Sequence, residues 1–309
     1  MTKIIVGVDG SPDADAALRW AIEEARLREA DLTAVFAWTP DDVALEQLDD
    51  GEEQVHRDEE IAAERVLRAA VERALPADAS VSVTQQVVRG EAVQVLLKAA
   101  RDADLLVVGH RGAGPLRRLL TGSVALSCLH RIHGPMVVVR SPANGRAEGE
   151  AGAGVGTGAA AGGVRRGGGV LVGVDGSPES VEALRWAARA AELRRTSLTV
   201  VHAWLPPVTA GYYAGVDMTI MEKAARALLD ECLQEALSDA PPSLPVRDEL
   251  MLGGPAHTLI EASRGRALLV AGARGRGGFA GLLLGSTSDQ CVNHAYCPIA
   301  IIRGTGRNA

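Results

Sequence analysis

Val6-Gly7-Val8-Asp9-Gly10-Ser11-Pro12 returns 166 residues later as Val172-Gly173-Val174-Asp175-Gly176-Ser177-Pro178. Leu18-Arg19-Trp20-Ala21 and Ala37-Trp38 return at the same offset, as Leu184-Arg185-Trp186-Ala187 and Ala203-Trp204. From Gly90 and Gly253 onward the offset is 163, and it holds for Gly109 and Gly272, Cys128 and Cys291, and Pro135 and Pro298. One small length change in the middle of each half accounts for the difference. A duplication this extended constrains the fold more than any single motif: whatever one half forms, the other forms too. With 309 residues the chain is long enough for each half to bury its own core.

In the first half, Lys3 to Val8 reads as a buried strand. Ser11-Pro12 then supplies a helix N-cap and a proline at the first helical position. Ala14, Ala17, Leu18, Ala21, Ile22 and Ala25 recur at helical spacing on one face, which leaves Arg19, Glu23, Glu24 and Arg26 for the other. Leu32 to Trp38 is a second strand. The acidic segment from Asp41 to Glu60 begins as a loop, reads as a solvated lid or surface, and passes into a helix that Pro76 closes. Val81 to Val88 alternates like a third strand, Glu91 to Ala100 is a short helix, and Asp104 to Gly109 is a fourth strand. A helix from about Ser123 to Arg131 leads through Gly134-Pro135 to a fifth strand, Met136 to Arg140. The second half repeats this order from Val170 to Arg303.

Strands alternating with helices imply right-handed crossovers and a parallel sheet. Aromatic residues make up only 3% of the chain, so the cores are built from Val, Leu, Ile and Ala, which suits parallel strands covered on both faces. The fold class is α/β, with two tandem doubly wound domains at residues 1–140 and 170–303. Residues 141–169, rich in Gly and Ala, read as a flexible linker, and residues 304–309 as a tail. Such a linker lets the halves pack side by side as an internal pseudo-dimer.

The formal net charge of −7 argues against a nucleic-acid binder, which needs clustered Lys and Arg. No apolar run is long enough to span a bilayer, and Met1-Thr2-Lys3 leads straight into a strand without a signal-peptide pattern, so a cytoplasmic protein is expected. Cys128, Cys232, Cys291 and Cys297 form no CxxC pair, and Cys128 and Cys291, at matching places, read as small buried apolar side chains. His202, inside a strand, reads as a core or pocket-wall residue. The remaining histidines show no metal-ligand spacing.

In doubly wound sheets ligands sit beyond the carboxyl ends of the strands, where neighbouring connections diverge. That rule brings together Asp9, Gly10 and Ser11, Ala37, Val88 to Gly90, and Gly109 to Gly112. In the second half it brings together Asp175 to Ser177, Ala203, Leu252 to Gly254, and Gly272 to Gly275. The fourth strand of each half ends in a glycine-rich loop, Gly109-His110-Arg111-Gly112 or Gly272-Ala273-Arg274-Gly275. A helix then starts at Gly122-Ser123 or Gly285-Ser286. Loop amides and a helix N-terminus together favour an anion such as a phosphate. Asp9 and Asp175 fit either a metal or phosphate role or a simple turn cap. Arg111, Arg117, Arg118, Arg274 and Arg276 fit either phosphate neutralisation or a solvated loop.

Gly-x2-Gly-x9-Gly-Ser after a strand, with an Asp ending the first strand, resembles the nucleotide-binding subset of the universal stress protein family. Gly109, Gly112, Gly122 and Ser123 match it without a gap, and so do Gly272, Gly275, Gly285 and Ser286. The resemblance implies a tandem form of that family, with strand order 3-2-1-4-5 in each adenine nucleotide alpha hydrolase-like domain and dimerisation through the last strand. It implies ATP in each crevice, with Mg where present carried by the nucleotide next to Asp9 and Asp175. Ala37 and Ala203 would meet the adenine through their backbone. Gly7, Val8, Val108, Arg111 and Val124, and likewise Gly173, Val174, Ala271, Arg274, Thr287 and Ser288, belong to the implied nucleotide sites. The first site departs from the pattern at Ala125, where the second has Ser288, and at His110, where the second has Ala273; the second site is therefore expected to bind ATP more tightly.

The implied function is that of an ATP-binding regulator in stress adaptation, working as a homodimer or with a regulatory protein partner. A slow ATPase or phosphoryl-transfer enzyme is the first alternative, although the chain lacks a G-x-x-x-x-G-K-[ST] loop. A protein-interaction module without nucleotide is the second. A Rossmann dehydrogenase is excluded, because the glycines follow the fourth strand instead of the first.

Overall fold

A computed structural model describes residues 2–39, 52–76, 81–112, 122–141, 168–206, 218–276 and 283–304. The first repeat runs β1 (Lys3–Gly7), α1 (Pro12–Arg28), β2 (Asp31–Trp38), α2 (Glu52–Ala74), β3 (Val83–Arg89), α3 (Ala92–Ala99), β4 (Leu105–Gly109), α4 (Ser123–Arg131) and β5 (Met136–Val139). The second runs β6 (Val170–Gly173), α5 (Pro178–Leu193), β7 (Leu198–Trp204), α6 (Met218–Leu237), β8 (Val246–Leu252), α7 (Pro255–Ala262), β9 (Leu268–Gly272), α8 (Ser286–His294) and β10 (Ile299–Ile302). Residues 41–51 of the acidic segment and 142–167 of the linker lie outside the described residues.

Each repeat has the expected parallel order, β3-β2-β1-β4-β5 and its counterpart β8-β7-β6-β9-β10. The two sheets are not separate, however. β5 pairs antiparallel with β10, Val137 opposite Ala300, and the result is one mixed ten-stranded sheet. Both strands read Pro followed by four apolar residues, and all eight of those residues are buried. An apolar strand at a sheet edge is an unpaired template. Pairing the two last strands removes that edge from both repeats at once.

Helices cover both faces. On one, Leu18, Ala21 and Leu67 of the first repeat join Leu184, Ala187 and Leu229 of the second in a core that runs across the seam. On the other, Cys128 and Leu129 of α4 and Cys291 and Val292 of α8 pack with Leu106, Val138, Ile299 and Ile301. All four cysteines are buried free thiols. Burial pushes the Cys128, Cys291 and Cys297 thiols up to about 12, so none is a thiolate near neutral pH.

Glu24 corrects the helical-face reading of α1. It lies inside the seam, its side chain fully enclosed, with Oε1 accepting from Arg28 Nε at 2.6 Å and Oε2 accepting from Arg194 of the second repeat. The two arginines also cross the pseudo-twofold axis: Arg28 lies 5.0 Å from the Trp186 ring and Arg194 5.8 Å from the Trp20 ring. Helical spacing alone treats Glu24 as solvent-facing because the surface that buries it belongs to the other repeat.

Candidate functional site

Each crevice begins where β1 or β6 ends. Ser11 and Ser177 cap α1 and α5 through hydrogen bonds from Ala14 N and Ser180 N, both 3.2 Å. The preceding turn needs glycine, since Gly10 and Gly176 both have φ of +77°. Asp9 Oδ1 accepts from Ser11 N at 3.0 Å, and Asp175 Oδ1 accepts from Ser177 N at 3.0 Å and from Ser177 Oγ at 2.6 Å. The turn-cap reading of the two aspartates therefore describes one oxygen of each. The other oxygen faces the glycine loop: Asp175 Oδ2 accepts from Arg276 N at 2.9 Å. A side chain at Gly112 or Gly275 would put its Cβ 2.6 or 2.3 Å from that oxygen of Asp9 or Asp175.

The other motif glycines have separate reasons. A Cβ on Gly109 would lie 2.8 Å from the Asp13–Ala14 backbone, and one on Gly272 2.9 Å from that of Glu179, so these two let the first helix approach. A Cβ on Gly122 would lie 3.0 Å from the His110 carbonyl, which accepts from Gly122 N at 2.8 Å. Gly285 N bonds Ala273 O in the same way at 2.8 Å. These bonds hold the start of α4 and α8 against the loop. No side chain caps either helix, and Ser123 and Ser286 at their first positions are exposed. Gly7 and Gly173 serve packing instead, since Leu96 and Leu259 fill the space a Cβ would take.

The walls are apolar. Val8 and Val174 are buried and extend the strand pairing by one residue, through bonds from their amides to Val35 O and Val201 O, both 2.9 Å. Val108 and Ala271 are buried beneath the loop, while Val124 and Thr287 are half-buried at the helix start. Ala37 and Ala203, half-buried near the ends of β2 and β7, stand in register with Val88 and Met251. His202 is buried within β7, its Nδ1–H donating to Val174 O at 2.8 Å.

Ser288 is placed differently from its phosphate expectation. It is buried, and its hydroxyl donates to Gly272 O at 2.6 Å, bracing the end of β9. Buried Ala125 stands at the matching place in the first repeat. His110 is also buried, its ring against Arg140, with Nη2 2.9 Å from Nε2. Burial, followed by the charges of Arg140, Arg111 and His294, pushes its pKa down to about 3. Since arginine only donates, Nε2 of this neutral ring is the acceptor.

Asp13 is a site residue that the sequence reading missed. Buried in the first turn of α1, it accepts from Arg111 N at 3.0 Å and from Ser141 N at 2.8 Å, fixing both the glycine loop and the chain after β5. Its counterpart Glu179 reaches the Arg274 side chain instead, at 2.7 Å. The only signal was an acidic residue at the second helical position, which helix capping already explains.

Asp175 shows the electrostatics. Burial pushes its carboxyl up, but the Ser177 hydroxyl, the Arg276 and Ser177 amides and the Ser180 hydroxyl outweigh that and hold it below the usual carboxylate range. It is an anion already occupied by donors. Among the described residues no group of three His, Cys, Asp or Glu side chains could hold a metal by itself. The donor set fits a phosphate at the uncapped helix start, and the carboxylates beside the loop are already engaged by protein donors, so any Mg there would be held chiefly by the phosphates.

A universal stress protein of Mycolicibacterium smegmatis is 32% identical over 312 aligned residues, covering 97% of this chain and 96% of the relative. One from Mycobacterium tuberculosis is 31% identical over 311, covering 97% and 96%. The crystal structure of a universal stress protein from Archaeoglobus fulgidus superposes with a TM-score of 0.60 at 17% identity, over 97% of this chain and 98% of that one, and so shares the fold. The model of the universal stress protein family matches residues 1–140 and 169–303, and with both repeats matched, the chain belongs to that family.

Proposed function

We propose that this universal stress protein binds ATP in two crevices, one per repeat, and acts as a nucleotide-dependent regulator in stress adaptation. The observation that carries the reading is the duplicated cradle. In each repeat an uncapped helix start is tied to a glycine loop that has no room for a side chain, next to an aspartate already held by backbone donors. A preformed ring of donors with an exposed serine is what a phosphate chain requires. The half-buried backbone at Ala37 and Ala203 is where the adenine would lie.

A regulator fits these residues better than an enzyme does. A general base works best with a pKa raised toward neutrality, and Asp175 is shifted the other way. Arg276, whose guanidinium lies against Gly176 in the second site, has Ala113 at its place in the first repeat. With Thr287 in place of Val124, it favours the second site for the more highly charged nucleotide. Mg would enter with the ATP, and the setting would be cytoplasmic, with a homodimer or a regulatory protein as the assembled form.

Native mass spectrometry of the purified protein tests this. Two adenine nucleotides on the wild type, and one on each of Gly112→Ala and Gly275→Ala, are expected. Binding by neither site overturns the reading; rapid turnover to ADP with release favours the enzyme.

A further inference from the structure

Arg140 and Arg303 directly follow the last strands of the two repeats, and each reaches into the other repeat. Arg140 Nη2 donates to Asn293 O at 2.5 Å and approaches Val292 O at 3.5 Å, both at the C-terminal end of α8. Arg303 Nη2 donates to Leu129 O at 2.6 Å and approaches His130 O at 3.4 Å, the matching carbonyls of α4. The preceding carbonyls, Cys291 O and Cys128 O, already accept from Ala295 N and Ile132 N. The arginines therefore meet the last carbonyls of a helix, at the negative pole of the dipole.

Each arginine also touches the glycine-loop region of its own repeat. Arg140 Nη2 donates to His110 Nε2, in the first loop, and Arg303 Nη2 donates to Leu283 O at 2.8 Å, two residues before Gly285. The opposite ends of α4 and α8 are the uncapped starts at Gly122-Ser123 and Gly285-Ser286. A nine-residue helix is a rod of about 13 Å, so a shift imposed at one end reaches the other. Two mirrored paths follow: loop, arginine, helix end and helix start of the other site.

We propose that Arg140 and Arg303 are positioning residues for the nucleotide site of the opposite repeat and couple the two sites across the β5–β10 seam. This rests on the nucleotide reading above. Occupancy of one crevice fixes its loop, the loop fixes its arginine, and the arginine fixes the phosphate-facing helix of the other crevice.

The test uses the full chain with Gly285→Val, which confines ATP to the first site, and follows amide hydrogen exchange by mass spectrometry. ATP is expected to slow exchange at the start of α4 and, at least twofold, across α8. With Arg140→Gln and Arg303→Gln added, the α4 response remains and the α8 response is lost; Arg140→Lys, which keeps a cation at the Asn293 carbonyl, restores part of it. If those variants fail to fold, His110→Ala replaces them. It copies Ala273, which already serves at that place in the second repeat, and is expected to weaken the α8 response by half or more. ATP binding with an unchanged α8, or an α8 response that survives these substitutions, overturns the coupling and leaves the nucleotide reading intact. No ATP binding at all overturns both.

Discussion

The Asp13 carboxylate receives the backbone N–H of Arg111 at 3.0 Å, 98 residues away along the chain, while Glu179 at the same place in the second repeat receives the exposed Arg274 side chain. One acidic position thus does two jobs. In the first repeat it is buried and fixes backbone; in the second it is half-buried and pairs with an exposed guanidinium.

That difference sets the first prediction. Asp13→Asn turns one accepting oxygen into a donor facing an N–H, and is expected to cost about 2 kcal/mol, as for a buried donor left unsatisfied. Glu179→Gln is expected to cost less than about 1 kcal/mol, the range of exposed pairs. Urea denaturation of both proteins checks the ratio. Equal costs would mean that the loop is held by other contacts.

Ser288 and its bond to Gly272 O lead to the second. If the hydroxyl braces β9, Ser288→Ala lowers stability by about 1 kcal/mol and leaves the ATP affinity of the second site within twofold. Calorimetric titration of ATP decides it. A tenfold loss of affinity would restore Ser288 to the phosphate.

What the sequence made legible is what is local or duplicated. The parallel α/β class followed from alternation and crossover handedness, the strand order within it from the family resemblance, and the glycine loops from spacing that occurs twice. Ser11 and Ser177 announced their helices because an N-cap acts within three residues. What remained hidden depends on the other repeat or on distant backbone. Glu24 sits on the polar side of its helix and meets Arg194 of the other repeat, Asp13 meets an amide 98 residues away, and Arg140 and Arg303 look like ordinary strand-end cations until β5 and β10 pair. Glycine spacing also could not say why each glycine is there. Gly109 makes room for α1, Gly112 for Asp9, and Gly122 for a carbonyl.

The third prediction concerns acid. His110 is neutral in the fold, with its pKa at about 3, and ordinary, near 6.5, in the unfolded chain. Between those values the unfolded state binds the extra proton, so stability falls as pH falls from about 6.5 toward 3. One such group contributes a slope of at most about 1.4 kcal/mol per pH unit. Denaturation midpoints between pH 4 and 7 should fall more steeply for the wild type than for His110→Ala, because the carboxylates are common to both. Parallel curves would show that His110 is not the group responsible.

The fourth concerns the seam on the α1–α5 face. Glu24 is fully enclosed between two arginines that are themselves mostly covered, with side-chain exposures of 18% for Arg28 and 14% for Arg194. Removing the anion leaves two guanidinium groups facing each other in a region of low dielectric, the situation in which breaking a buried pair costs about 3 kcal/mol or more. The loss falls on the contact between repeats and not on either core. Glu24→Ala is therefore expected to separate one cooperative unfolding transition into two, one per repeat. The indole fluorescence of Trp20 and Trp186, each lying under an arginine from the other side, should change in the earlier step. Calorimetric and van't Hoff enthalpies that agree in the wild type and diverge in Glu24→Ala would establish it. A variant that unfolds in one transition at lower temperature would instead place the cohesion of the seam in the β5–β10 pairing and the apolar core shared across it.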